Sequence, residues 1–295
     1  MSKKFGIFVH SRSANAHKVA DEVAAFLQEK GVETWHTSEW DDSIVAERIK
    51  DTDLLICLGG DGTMLRAARV IVPHKIPVMG VNMGRLGFLA DVRPNEVTGR
   101  LDDFLQNKHR IEERSMLQAQ LPSWGVTYHA LNDVVVGRSN ISRPVYVDVN
   151  VNGSRLAVHR CDAIIVASAT GSTAYSLSAG GPILHPESKD IVLTPVAPHL
   201  AASRALVLPP DTVVDLMVSA DKQVDVSIDG QEDRTLKSGE TVSICLSPYA
   251  ARFVRFSDPQ THYARLAERL DWLRVLRASD HPELFEDLNG IQAPK

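Results

Sequence analysis

The sequence is poor in the features that mark several large protein classes. Its 295 residues include only three cysteines, Cys57, Cys161 and Cys245, and three widely spaced thiols indicate neither a disulfide framework nor a zinc site. No apolar stretch approaches the roughly 20 residues of a membrane-spanning helix. Positive charge is not in excess, because the formal net charge is −5. Nucleic acids and anionic membranes usually bind a basic face, so we expect neither as a partner.

Two common signatures of nucleotide binding are also missing. The sequence contains no Gly-x-x-x-x-Gly-Lys-Ser/Thr, which excludes an ordinary P-loop NTPase. Gly60-Asp61-Gly62 is followed by Thr63-Met64-Leu65, without the third glycine of the dinucleotide-binding fingerprint. A nucleotide bound here would therefore not be held in the usual Rossmann manner.

The composition is that of an ordinary globular protein, with 44% hydrophobic and 23% charged residues. A chain of this length can form two domains, each with its own hydrophobic core. Residues 1–5 lead directly into an apolar run and carry no signal-peptide pattern, so we expect a cytoplasmic protein.

Strands and helices are predicted to alternate over the first third of the chain. Apolar runs predict strands at 5–9, 32–35, 54–58 and 77–81, and the segments between them have helical spacing. This order predicts an α/β domain over residues 1–110, with a parallel sheet covered by helices on both faces. Ligands of such sheets bind beyond the carboxyl ends of the strands.

The pattern changes at about residue 111. Short runs rich in valine and isoleucine follow one another, separated by turn signals such as Asn152-Gly153. They predict a mostly β domain over residues 111–258. Apolar residues at helical spacing then predict a C-terminal helix within 259–279 that returns to the first domain. Proline, glycine and charge predict a poorly ordered tail over 280–295.

The most informative motif is Gly59-Gly60-Asp61-Gly62-Thr63, which directly follows the strand predicted at 54–58. The next residues favour a helix, so the glycines lie where a strand ends and a helix begins. Backbone N–H groups at a helix start can bind phosphate, and glycine lets the phosphate approach closely. A carboxylate there serves phosphoryl transfer if it binds Mg²⁺ or accepts the proton of the attacking hydroxyl. The motif suggests a kinase, although the same residues also suit a plain strand-to-helix turn.

A second unusual stretch, residues 169–182, is almost entirely small or hydroxylated. A flexible linker is one interpretation, but a linker would not need Tyr175, Leu177 and Ile183. Hydroxyl groups suit a site that binds sugars, phosphates or an amide, and Tyr175 could stack on a ring. Asn132-Asp133, at the head of a predicted strand, have the character of turn residues on spacing alone.

Taken together, these motifs resemble the NAD kinase family. The resemblance rests on Gly59–Thr63, Asn132-Asp133, Thr170–Pro182 and Asp229-Gly230-Gln231, in that order and at those separations. It extends from Phe5 to about Trp272, and its most specific part is Thr170–Pro182. The Gly-Gly-Asp-Gly-Thr element alone is shared with diacylglycerol and sphingoid kinases and, more loosely, with phosphofructokinases. The implied fold is NAD kinase/diacylglycerol kinase-like.

The resemblance implies transfer of the γ-phosphoryl group of ATP, with Mg²⁺, to the 2′-hydroxyl of the adenosine ribose of NAD, giving NADP. Asp61 would be the catalytic aspartate in an interdomain cleft, acting as a base or orienting that hydroxyl, and no protein ligand for the metal is assigned. Homodimers or homotetramers are implied as well. The phosphate loop would comprise Gly59, Gly60, Gly62 and Thr63. The NAD-binding residues would be Phe88 beside the adenine, Asn132, Asp133, Asp162 near the nicotinamide, Thr173, Ala174, Tyr175 and Ser178.

The chain departs from the common family pattern near the implied nicotinamide end. Cys161 and Ala163 stand where many members have glycine, and a Cβ there restricts the backbone. Ala167-Ser168-Ala169 replaces Ser-Thr-Pro, and Asp133 is one methylene shorter than the commoner glutamate.

Two alternatives stay open at this point. A lipid or sugar kinase could share the glycine-rich loop, although no hydrophobic acceptor groove or basic patch stands out in the sequence. A catalytically silent NAD(H)- or NADP(H)-binding regulator could use the same scaffold, although the intact Asp61 speaks against it. Polyphosphate as donor, NADH as acceptor and regulation by NADPH or a thiol are also open.

Overall fold

The computed structural model describes residues 3–10, 13–37, 42–72, 74–84, 87–121, 123, 125–139, 144–199, 203–219 and 224–270, without the side chains of 42–44 and 46. The tail predicted at 280–295 and the end of the helix predicted within 259–279 lie outside these residues.

The first part of the chain is an α/β layer structure with a parallel sheet. Its strands follow the order β2-β1-β3-β4, and every pairing among them is parallel. The strands are β1 (Lys4–Val9), β2 (Glu33–Thr37), β3 (Leu54–Gly59) and β4 (Pro77–Asn82). The helices are α1 (Ala14–Glu29), α2 (Asp42–Ile49), α3 (Asp61–Val70) and α4 (Val97–Leu105).

Helices cover both faces of this sheet because alternate strand residues face opposite sides. Ile56 of β3 packs with apolar residues of α1 and α4 in one buried cluster. Its neighbours Leu55 and Cys57 pack with residues of α2 and α3 in a second cluster. All three strand residues are at most 1% exposed. The predicted fold class of the first part is confirmed.

The second part is mostly β, as predicted, and consists of two packed sheets. A six-stranded antiparallel sheet has the order β12-β11-β10-β7-β14-β15. Its strands are β7 (Asp133–Arg138), β10 (Ala163–Ala167), β11 (Ile191–Val196), β12 (Leu206–Leu208), β14 (Val224–Ile228) and β15 (Glu232–Leu236). The facing strands are β5 (Arg110–Gln120), β6 (Thr127–Ala130), β8 (Val145–Val151), β9 (Ser154–Cys161), β13 (Val214–Ser219) and β16 (Thr241–Arg255). Val and Ile side chains from both sheets form one buried cluster between them.

Strand β16 joins the two parts into one ten-stranded sheet. Its first half pairs antiparallel with β13, and its end pairs parallel with β4 through Arg252 and Phe253. Strand β5 runs antiparallel along β16, with a register shift between Leu246 and Ala250. The sequence predicts a strand only over 242–246 of this pair, because the charged residues of β5 and the end of β16 hide the apolar alternation.

After β16 the chain returns to the first part. A 3₁₀ turn at Pro259–Thr261 leads into the last described helix, α6 (His262–Arg269), which contacts Phe88 and Asp91. The helix before it in the chain, α5 (Tyr175–Ser178), has only four residues. Among the helices of the described ranges, none is both long and apolar enough to cross a membrane.

Candidate active site

The glycine-rich motif lies at the junction that the sequence predicts. Strand β3 ends at Gly59, Gly60 is the N-cap, and Asp61 is the first residue of α3. A Cβ at Gly59 would lie 2.1 Å from Oγ1 of Thr63, so this glycine lets the buried threonine fold back against the loop. A Cβ at Gly60 or Gly62 would meet no atom within 4 Å. The space above those two glycines is therefore open to a ligand.

The carboxylate of Asp61 is fixed by a backbone segment that follows β4. The N–H of Phe88 donates to Oδ2 at 2.7 Å, and the N–H of Leu89 donates to Oδ1 at 3.0 Å. Gly87 allows this approach, because a Cβ there would lie 2.2 Å from Oδ1. Strands β3 and β4 are parallel neighbours, so the segments that follow them meet beyond the same edge of the sheet. The structure thus places Asp61 beside Phe88.

An open cleft of about 460 Å³ extends from this loop towards the second part of the chain. Thr63 and the arginines Arg66 and Arg69 of α3 line one side, and the turn between β14 and β15 lines the other. Nε2 of Gln231 donates to the Gly62 carbonyl at 3.1 Å. Nη1 of Arg69 contacts Oε1 of Glu232 at 3.0 Å. Glu232 balances the charge of Arg69, and Arg66 and the start of α3 make the floor of the cleft attractive to anions.

Asp229 ties the Asn132-Asp133 pair to the turn that borders this cleft. Its carboxylate accepts the N–H groups of Leu131 at 2.8 Å, Asn132 at 2.7 Å and Asp133 at 3.1 Å. Burial raises the pKa of Asp229 to about 6, against the lowering effect of those N–H groups. Burial, and then the charge of Asp229, raise the pKa of Asp133 to about 7. Asp133 is 6% exposed, so little of its surface is open to a ligand.

The small-residue stretch packs directly on Asn132. Its residue Gly171 is required there, because a Cβ would lie 2.0 Å from the Asn132 carbonyl oxygen. That carbonyl also accepts the N–H of Ser168 at 2.8 Å. Two hydroxyls of the stretch are internal, since Ser172 bonds the Ala169 carbonyl and Ser176 bonds Thr194. These hydroxyls shape the segment and do not face a ligand.

The residues of this stretch assigned to NAD binding are accessible. Thr173 and Ala174 are half-buried, whereas Ser178 and Tyr175 are exposed, the tyrosine by 45%. Thr173 also lines a small cavity together with Phe88. The structure therefore brings the start of this stretch to the same place as Phe88.

Asp162 lies apart from the other residues assigned to NAD binding. It precedes β10 and contacts Nη2 of Arg138 at 2.8 Å, at the far end of β7 from Asp133. At about 3.3 Å per residue, the length of β7 puts these two aspartates roughly 17 Å apart. Its assignment to the nicotinamide end stays a prediction.

Sequence reasoning missed a buried ion-pair network behind Phe88 and Leu89. Arg255 contacts Asp91 at 3.1 Å and Glu112 at 3.1 Å, and Glu112 also pairs with Arg114 at 2.8 Å. Burial alone would raise the pKa of Glu112, but Arg255 and Arg114 hold it at about 2. The only signal was the charged pattern Glu112-Glu113-Arg114 before an apolar run, which reads equally well as an exposed loop.

Comparisons with known proteins agree with this architecture. The family model of the ATP-NAD kinase N-terminal domain matches residues 1–109, and that of the ATP-NAD kinase C-terminal domain matches residues 131–256. The chain is 37% identical over 274 residues to the NAD kinase of Dehalococcoides mccartyi, which covers 92% of this chain and 96% of that protein.

Two solved structures share the fold. Yeast NADH kinase complexed with NADH aligns with a TM-score of 0.81, covering 100% of this chain and 90% of its own. An NAD kinase from Archaeoglobus fulgidus in complex with ATP aligns with a TM-score of 0.75, covering 91% and 98% respectively. Both are 22% identical to this chain, so this likeness shows the fold alone.

Proposed function

The chain belongs to the NAD kinase family, and from that premise we propose that it transfers the γ-phosphoryl group of ATP to the 2′-hydroxyl of the adenosine ribose of NAD. One observation carries the proposal: Asp61 stands at the start of α3, beside Phe88, and its two neighbours in the chain, Gly60 and Gly62, line an anion-attracting cleft. An acceptor hydroxyl at Asp61 and phosphates above Gly60 and Gly62 would be neighbours.

Asp61 would act on the acceptor hydroxyl. Each carboxylate oxygen accepts one backbone N–H and keeps a further acceptor position for the hydroxyl hydrogen. As the bond between the 2′-oxygen and the γ-phosphorus forms, the bond to the β–γ bridging oxygen breaks and ADP leaves with the electron pair. The hydroxyl proton passes to Asp61. Such transfers depend mainly on positioning and charge neutralisation, so a late proton acceptor suffices.

The phosphates of ATP would lie over the glycine-rich loop. The N–H groups at the start of α3, together with Arg66, supply positive potential there. We expect Mg²⁺ to arrive on ATP, because Mg²⁺ binds substrate phosphates with only one or two carboxylates. When bound, it would neutralise charge on the β- and γ-phosphates.

NAD would bind between Phe88 and the stretch that begins at Thr173, with Asn132 and Asp133 below it. Ala174, Tyr175 and Ser178 would continue the binding surface away from Asp61. The part played by Asp162, a homodimer or homotetramer, and a cytoplasmic location remain predictions.

The test is an assay with Mg-ATP and NAD, coupled to a dehydrogenase that uses only NADP. We expect ATP-dependent NADP formation, and a decrease in kcat of about 10²- to 10⁴-fold in Asp61→Asn, the range typical of general bases. NAD binding, measured by calorimetry, should change little. Asp103→Asn on α4 removes a partly exposed carboxylate paired with Arg100 at 3.3 Å and should leave kcat unchanged.

Other outcomes would select among the alternatives. Wild-type turnover in Asp61→Asn would remove Asp61 from the mechanism. Phosphorylation of a lipid or sugar but not of NAD would identify a different kinase. NADP binding without turnover, using ATP or polyphosphate and either NAD or NADH, would identify a silent binding protein.

A further inference from the structure

We propose that Arg255 is a positioning residue for Asp61, acting through the backbone segment 87–91. This inference rests on the proposed function, because it assumes that Asp61 acts on the acceptor hydroxyl. Arg255 lies at the end of β16 and is 4% exposed. It does not line the open cleft, although it borders a small pocket together with Phe88. Its influence on Asp61 would pass through the segment that it holds.

The first link joins Asp61 to the segment. Both oxygens of its carboxylate are occupied by backbone donors, Phe88 N–H and Leu89 N–H. The carboxylate lies against Gly87, where a Cβ would be 2.2 Å from Oδ1, and it also interacts electrostatically with Arg269 of α6. Its hydrogen-bonded position depends on where the two peptide groups stand.

The second link joins the segment to Arg255. Nη1 donates to the Leu89 carbonyl at 2.9 Å and to Oδ1 of Asp91 at 3.1 Å. Leu89 thus donates its N–H to Asp61 and accepts from Arg255 at its carbonyl. The two bonds from Nη1 hold the Leu89 carbonyl and the Asp91 carboxylate, so they tie two points of the segment to one rigid guanidinium.

The third link anchors Arg255 itself. Its Nε donates to Oε1 of Glu112 on β5 at 3.1 Å, and Glu112 is held in turn by Arg114. Glu112, Arg114 and Arg255 are all at most 6% exposed. A buried ion pair that loses one partner leaves an uncompensated charge. The guanidinium is therefore held in one place between β5 and the segment.

Helix α6 supports the same segment from another side. Arg265 contacts Oδ2 of Asp91 at 3.0 Å. Nη1 of Arg269 lies 3.4 Å from the Phe88 carbonyl, and its guanidinium lies 5.5 Å from the centre of the Phe88 ring. That carbonyl belongs to the peptide group whose N–H donates to Asp61. Arg255 is the most buried member of this set and the one bonded directly to Leu89.

A double-mutant cycle tests the proposal, because residues that act as one unit give non-additive losses. We expect Arg255→Lys to lower kcat about 10- to 100-fold, as a displaced catalytic group does, with KM for NAD and ATP changed less than about threefold. In the Asp61→Asn background, the same substitution should change the residual single-turnover rate less than about twofold. Arg252→Lys is the matched control, since Arg252 on the same strand pairs with Glu113 at the surface.

The outcomes are distinguishable. An equal loss in both backgrounds, or an unchanged kcat, overturns the positioning role while leaving Asp61 in place. Full turnover in Asp61→Asn alone overturns the role of Asp61 and this inference together. If Arg255→Lys does not fold, as judged by circular dichroism and NADP binding, Asp91→Asn replaces it in the cycle. That variant loosens the segment and retains Arg255. Its effect on turnover is again compared between the wild-type and Asp61→Asn backgrounds.

Discussion

At the scale of the residue, two buried carboxyl groups lie next to the turn that borders the cleft. Asp229 accepts three backbone N–H groups, whereas the neighbouring Asp133 is buried beside that carboxylate. Burial disfavours the charged form of both, and the charge of Asp229 adds to the effect on Asp133. The pKa of Asp133 is raised to about 7, from an ordinary value near 3.8. This residue therefore links folding stability to pH.

We predict that Asp133→Asn stabilises the fold at neutral pH. Between pH 4 and 7 the folded wild-type protein holds a proton at Asp133 that the unfolded chain releases, so its stability falls as pH rises through that window. The melting-temperature advantage of the variant should grow from about pH 4 to pH 7 and stay constant above. Thermal melts of both proteins without ligand, with Asp103→Asn as control, measure it. A pH-independent difference would show that Asp133 does not titrate in this range.

At the scale of the element, the paired strands β5 and β16 carry the connection between the two parts of the chain. Phe253 of β16 is completely buried among residues of α3, β3 and β4, and pairs with Val78. The neighbouring Val254 packs on the opposite face with residues of α1 and α4. One strand thus contributes to both helical layers of the first part.

We predict that Phe253→Ala lowers the free energy of unfolding by about 3–5 kcal/mol, the usual range for removing a buried aromatic ring. Urea denaturation monitored by circular dichroism measures it. Phe26→Ala, near the end of α1, removes a half-buried ring and should lower it by clearly less. Equal losses in the two variants would mean that the end of β16 is not part of the core.

The sequence predicts those elements in which apolar residues are buried and polar residues are exposed. Strand β3 and the start of α3 follow from an apolar run, glycines and a helical segment, all within about 15 residues. Strand β5 could not be found in this way, because Glu112 and Arg114 satisfy each other's charge inside the protein. The contact of Asp61 with Phe88 depends on the parallel order of β3 and β4. The support from Arg255 depends on a pairing between β4 and β16 that joins distant parts of the chain.

At the scale of the whole molecule, one ten-stranded sheet passes through both parts. Its parallel end belongs to the first part, its antiparallel end belongs to the second, and β16 hydrogen-bonds to both. Separate domains normally meet through a surface without shared backbone hydrogen bonds. In this protein, opening that boundary requires strand pairs to separate.

We therefore predict that both parts unfold in a single transition. Native-state hydrogen exchange followed by mass spectrometry should give the same limiting free energy of opening for β1 and β13, within about 1 kcal/mol. Phe253→Ala should lower both values equally, even though β13 lies outside its cluster. Loss of protection in β1 alone would show that the first part opens independently.

The path of β16 also limits how this protein can be divided or recombined. The two stretches matched by family models, 1–109 and 131–256, look like modules that recombination could exchange. A fragment ending at residue 109 would nevertheless leave β4 as a bare sheet edge, since the strand that covers it comes from the other stretch. Bare edges pair with other chains and aggregate. Recombination would therefore have to preserve the sheet as a whole, and a hybrid protein that folds would have to take β4, β5 and β16 from the same parent.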